Sequence, residues 1–159
     1  MNHTSFPHLG TDQQIPAPYE PGWLKINNSL IAYDKDNASF AVSEGNIIST
    51  TADLATWAYA LYGTTKIVNE DLHKQMIDVL PSYDVNVNYG LGTTAYPEDL
   101  GYGHDGVRPA YMTIMRYHPG SKSSYVLFGN FLNFNAAVSQ GNDMHQVVRE
   151  AIAAVEAAR

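Results

Sequence analysis

From Asn88 onward apolar and polar positions alternate with period two. Tyr89 to Tyr96, Tyr102 to Val107, Ala110 to Tyr117 and Ser124 to Phe131 therefore predict four strands. Short turns separate them, among them Pro97-Glu98-Asp99 and His118-Pro119-Gly120-Ser121, so an antiparallel meander is expected over 88–131, with His118 exposed on a turn. In the last two strands both alternating sets are largely apolar: Tyr111, Met115 and Tyr117 against Met112 and Ile114, Tyr125 and Leu127 against Val126 and Phe128. Such a sheet needs cover on both faces.

The period is 3.6 on either side of this block. Leu54, Trp57, Ala58 and Leu61 fall at i, i+3, i+4 and i+7, behind a Thr50/Asp53 capping pair and ahead of Gly63, and predict a helix. A shorter helix is expected from Asn69, with Glu70 and Asp71 in its first turn, Leu72, Met76 and Val79 inward and an end before Pro81; His73 lies on it and reads as solvated. These two make a helical insert over 38–81. Asn142 reads as the cap of a last helix over 142–158, whose stripe of Met144, Val147, Val148, Ala151, Ile152 and Val155 suits a sheet face, with His145 off the stripe. Residues 1–37, with Pro7, Pro16, Pro18 and Pro21 and no sustained period, predict an extended rim loop. The fold class is α/β in the broad sense (α+β): an antiparallel sheet with helices packed on its faces.

Composition narrows the function. Charged residues are 16% and apolar residues 45% of 159, with eleven tyrosines, so the chain is globular rather than disordered. A net charge of -7 with no Lys/Arg cluster argues against nucleic acid. The absence of cysteine excludes disulfides, thiolate metal sites and a cysteine nucleophile. No run is long enough for a membrane segment, and no signal peptide is recognisable.

Candidate chemistry centres on Tyr102-Gly103-His104-Asp105-Gly106-Val107. Five of the twelve glycines (Gly90, Gly92, Gly101, Gly103, Gly106) fall around it, and glycine in strand sequence marks a bulge or a backbone approached closely. A metal centre on His104 and Asp105 lacks a second ligand at helical or strand spacing, and His3 and His8, five apart on irregular chain, read as surface residues. No metal or other cofactor is expected.

The stretch 102–106 resembles the third active-site motif of penicillin-recognising serine hydrolases, in particular the serine D-alanyl-D-alanine carboxypeptidases with His-Thr-Gly where β-lactamases carry Lys-Thr-Gly. Gly45 to Leu54, the Tyr-Gly-Leu-Gly of Tyr89 to Gly92, Val126 to Asn130, Thr4-Ser5-Phe6-Pro7 and Ile15-Pro16-Ala17-Pro18 are similar to further segments of that family. The resemblance spans essentially the whole chain. It implies a single C-terminal portion, 1–159, of a β-lactamase/transpeptidase-like domain, periplasmic or secreted. It also implies a cleft in which the strand bearing the motif lies antiparallel to a small-molecule, peptide or ester substrate. His104 would face the nucleophile, the Val107 N–H would be an oxyanion donor, and Asp105, Gly106, Arg108 and Asn130 would border the substrate. Asp105 replaces the hydroxyl that helps hold a substrate carboxylate in carboxypeptidase-like members. Arg108, in the adjacent loop, is the cation left for that task, and an esterase or amidase role fits as well.

The nucleophile motifs of that family are absent. The five lysines have Gly22, Ala32, Gly63, Asp71 and Pro119 three positions earlier, so no Ser-x-x-Lys exists, and no tyrosine begins a Tyr-x-Asn. A serine without an adjacent base is not nucleophilic at neutral pH, so the chain alone is expected to form no acyl-enzyme. It would need an N-terminal portion or self-association. The alternative is a catalytically inactive binding or scaffold relative.

Overall fold

The computed structural model describes residues 1–9, 11, 14–33, 37–78, 80–81 and 88–159. Its strands are β1 (Gly22–Ile26), β2 (Ser29–Tyr33), β3 (Leu80–Pro81), β4 (Asn88–Gly90), β5 (Thr93–Tyr96), β6 (Gly101–Arg108), β7 (Tyr111–His118), β8 (Ser123–Gly129) and β9 (Phe131–Asn133). Its helices are α1 (Thr51–Tyr62), α2 (Glu70–Ile77) and α3 (Ala137–Ala157). The main sheet has six strands in the order β3-β4-β5-β6-β7-β8, antiparallel throughout, a meander as expected except that the strand expected over Ser124 to Phe131 ends at Gly129, and Phe131 instead begins β9, which pairs parallel with β1.

Both faces of this sheet are covered, as its two apolar sets require. On one face Ala58 and Tyr62 of α1 pack on Tyr117, with Tyr102, Met115 and Met76 around them. On the other, Val148 and Ile152 of α3 pack on Ile114 and Leu100, flanked by Tyr125 and Leu127. α1 begins as its sequence predicts: the Thr50 side chain accepts the Asp53 N–H at 3.2 Å. The Asp53 carboxylate then reaches sideways, accepting the His3 N–H at 2.8 Å and the Thr4 hydroxyl at 2.7 Å, which ties the N-terminal segment to α1.

Several expectations are corrected. The rim loop contains a hairpin: β1 pairs antiparallel with β2 and parallel with β9 in a small second sheet, whose Leu24 joins Leu132, Ala110 and Met112 in a core cluster. Strand Tyr89 to Tyr96 is two strands, because Leu91 and Gly92 both take positive φ (46° and 70°) and make a tight primed turn. α3 begins at Ala137, five residues before Asn142, because Ala137 packs into the core and Gln140 bonds the Phe131 carbonyl and the Asn133 N–H. His118 is buried, its Nδ1 accepting the Ser121 N–H at 3.0 Å. His73, half-buried, bonds the Tyr62 carbonyl at the end of α1 at 2.9 Å rather than standing in solvent. Leu72 is exposed, Met76 faces the core, and Val79 lies outside the described residues.

Candidate active site

β6 changes character along its length. Its first half pairs on both sides, but pairing with β5 stops at Thr94↔Gly103, while pairing with β7 continues to Arg108↔Tyr111. Residues 104–108 therefore have one open edge among the described residues. The tight turn through Pro109 and Ala110 (φ 71°) closes on the pair Arg108 and Tyr111. Hydrogen-bonded and non-bonded pairs alternate along an antiparallel ladder. The N–H and C=O groups of Arg108, Gly106 and His104 thus turn toward β7, and those of Val107 and Asp105 turn to the open edge. His104 Nδ1 agrees with this, lying 2.6 Å from the Asp105 carbonyl oxygen.

That contact also fixes the imidazole's tautomer. A carbonyl only accepts, so Nδ1 carries hydrogen and in the neutral ring Nε2 is an acceptor. Nε2 lies 3.1 Å from the Tyr89 hydroxyl, and the two rings meet edge to face at 5.6 Å. The His104 ring is exposed at the open edge.

The two glycines of the motif differ. A Cβ on Gly103 would strike the Met115 carbonyl, so packing demands glycine there. At Gly106 the nearest atom to such a Cβ would be Thr113 Cβ at 3.7 Å, ordinary contact, so the fold leaves that surface bare without needing to.

Asp105 turns away from His104, as strand alternation dictates, to the face of Ile114 and α3. Arg116 Nη2 donates to its Oδ1 at 2.7 Å and His145 Nε2 to its Oδ2 at 2.8 Å. Arg116, fully buried, donates through Nη1 to Thr94 Oγ1 at 2.8 Å, and its guanidinium carbon lies 5.8 Å from the Tyr96 ring centroid. Burial alone would raise the Asp105 carboxyl, but the His145 hydrogen bond and the Arg116 charge outweigh it and hold it below the usual carboxylate range. Beside this network an open groove of about 230 Å³, lined by Val107, Met112, Ala137, Val138 and His145, runs between the sheet and α3.

Arg108 is half-buried at the hairpin mouth. Asn130 sits across the sheet: its neighbour Gly129 pairs with Met112, which pairs with Val107, so two strand spacings, about 10 Å, separate it from the open edge. There its Nδ2 donates to the Pro21 carbonyl at 3.0 Å and its own carbonyl accepts the Trp23 N–H. The structure thus brings His104, Gly106, Val107 and Arg108 to one strand end and leaves Asn130 at the junction of the two sheets. Sequence reasoning missed Tyr89, Arg116 and His145. A lone arginine in a greasy strand was the available signal, but its partner becomes visible only once strand register is known. Among the described residues no group of three or more His, Asp or Glu side chains is placed to hold a metal, and no helix is long and apolar enough to cross a membrane.

An antiparallel sheet with helices packed on its faces is also found in solved amidohydrolases. The D-amino acid amidase from Ochrobactrum anthropi SV3, complexed with L-phenylalanine amide, superposes with a TM-score of 0.76 at 21% identity, over 98% of this chain and 48% of that one. Its complex with L-phenylalanine gives 0.76 at 19%, over 100% and 50%. A D-stereospecific amidohydrolase from Streptomyces sp. gives 0.71 at 24%, over 82% and 39%. The chain shares their fold and spans half or less of their length. No protein-family profile matches the sequence, and no curated protein matches it.

Proposed function

We propose that this chain supplies the substrate strand and one oxyanion donor of a serine hydrolase that cleaves amide or ester bonds, with the nucleophile coming from another polypeptide segment. The observation that carries the reading is the open edge of β6, where the Val107 N–H turns outward beside the His104 ring and the bare backbone of Gly106. In the reaction a serine oxygen bonds to the substrate carbonyl carbon, the carbonyl oxygen takes up negative charge and accepts the Val107 N–H, and the amine or alcohol leaves with a proton as the acyl-enzyme forms. A donor of that kind is worth about 3 kcal/mol in the transition state. His104 stands as the polar group facing the nucleophile, and Arg108 as the cation at the rim. The resemblance of the 102–106 motif to penicillin-recognising hydrolases and the amidase folds above both support the reading.

Specificity for D-alanyl-D-alanine carboxypeptides is not favoured. Asp105 occupies the position of the carboxylate-binding hydroxyl, and both its oxygens are held from within by Arg116 and His145. An amino-acid amide or ester, which brings no terminal carboxylate there, suits the site better. Asn130 serves the sheet junction before any substrate.

Completion by another polypeptide has support at the far edge of the sheet. Among the described residues β8 pairs only with β7, and the alternation that starts at His118↔Ser123 turns the backbone groups of Ser124, Val126 and Phe128 outward. This edge carries no charge and no proline, the devices that usually block strand addition. The buried Ser124 hydroxyl lacks a hydrogen-bond partner among the described residues. The absence of Ser-x-x-Lys favours one other reading, an inactive binding module. Exposed to an ester or β-lactam reporter, the chain alone is expected to show no turnover; a burst of acylated protein would overturn the proposal.

A further inference from the structure

We propose that Asp105 is a positioning residue, which with Arg116 and His145 clamps the open end of β6 and so sets where His104 and Val107 stand. Among the described residues, 104–108 have no second strand neighbour, and Gly103 and Gly106, which flank His104 and Asp105, give the backbone no side-chain packing of their own. Something else must hold this segment still. A single carboxylate does so: through Arg116 it joins β6 to β7 and, by way of Thr94, to β5, and through His145 it joins β6 to α3. The Thr94 hydroxyl in turn donates to the Gly103 carbonyl at 3.0 Å, closing the loop back onto β6. Each link to the carboxylate is charge-assisted or short, the kind of hydrogen bond that fixes geometry most firmly. The substitution that weakens a grip on substrate carboxylate therefore serves the site from behind, by holding the strand that carries it.

The consequence for catalysis rests on the hydrolase reading, but the clamp can be tested without it. His145→Ala opens the α3 link at a partly exposed position, and His145→Gln keeps a donor in its place. Amide and ring resonances of the whole chain are read for the wild type, both variants and Asp105→Asn, together with hydrogen exchange of the β7-facing His104 and Gly106 amides. His145→Ala is expected to move the His104 ring and Val107 amide signals and to speed exchange at 104 and 106 about tenfold, the equivalent of one lost charge-assisted hydrogen bond. His145→Gln is expected to restore most of both, while α1 and the β1–β2 hairpin stay unmoved. Unchanged β6 signals in His145→Ala, or changes spread evenly over α1 and the hairpin, would overturn the clamp. Should Asp105→Asn unfold, the His145 pair still decides. A clamp that responds while no acyl-enzyme forms in any context would leave the clamp standing and remove the hydrolase reading.

Discussion

At the scale of single residues, the carboxylates decide how the fold meets acid. Asp105 is held below the usual carboxylate range as described, Asp99 by two hydrogen bonds from Arg149, and Asp53 by the Thr4 hydroxyl and the His3 N–H. In each case the folded value lies below the unfolded one of about 3.9. Their contribution to stability is therefore complete above that value and is lost as pH falls through the folded values. Denaturant midpoints at pH 7, 4 and 3 are expected to fall in the wild type. Asp105→Asn should start lower at pH 7 and lose less on acidification; equal slopes would show that Asp105 carries none of the acid response. The glycines give a second contrast. Gly103→Ala forces a methyl group against the Met115 carbonyl and is expected to cost about 1–3 kcal/mol, whereas Gly106→Ala, with room around it, should stay within about 0.5 kcal/mol while obstructing the open edge. Comparable losses at both positions would mean that Gly106 is structural too.

At the scale of elements, the period-two and period-3.6 patterns carried α1, α2, the meander and the body of α3. What escaped them was decided by tertiary contact or by turn conformation. β1 and β2 were hidden because β2 exposes Leu30 and Ile31 and so shows no alternation, while the prolines upstream spoke for loop. Gly141-Asn142 reads locally as a helix start, yet Ala137 docks in the core and draws the helix five residues upstream. The split of Tyr89 to Tyr96 needed two positive φ angles, one at a leucine, which composition does not announce. β8 carries its own test. Val126→Pro removes an N–H that faces the open edge and leaves the β7 ladder intact. Any concentration-dependent association of the chain, followed by light scattering, is expected to fall in this variant with secondary structure unchanged; association that persists would place it on another surface.

At the scale of the whole molecule, the candidate site was legible as a motif and the side chains that brace it were not. The histidine, the glycines and Val107 stood out in 102–107 because glycine is rare inside strand sequence. Arg116 and His145, eleven and forty residues from Asp105, meet it only through register and helix docking. The proposed function reduces to one arrangement, in which this chain would hold the substrate strand and the reactive hydroxyl would come from another segment. The most direct test is intact-mass spectrometry after exposure to a D-phenylalanine ester, with the chain alone and with the chain joined to a polypeptide bearing Ser-x-x-Lys and Tyr-x-Asn. The expected result is no adduct on the chain alone, an acyl adduct on the serine of the joined polypeptide, and acylation slowed about 100-fold or more by Val107→Pro, which removes the oxyanion donor. An adduct on any of these 159 residues, or acylation of the joined enzyme untouched by Val107→Pro, would contradict it.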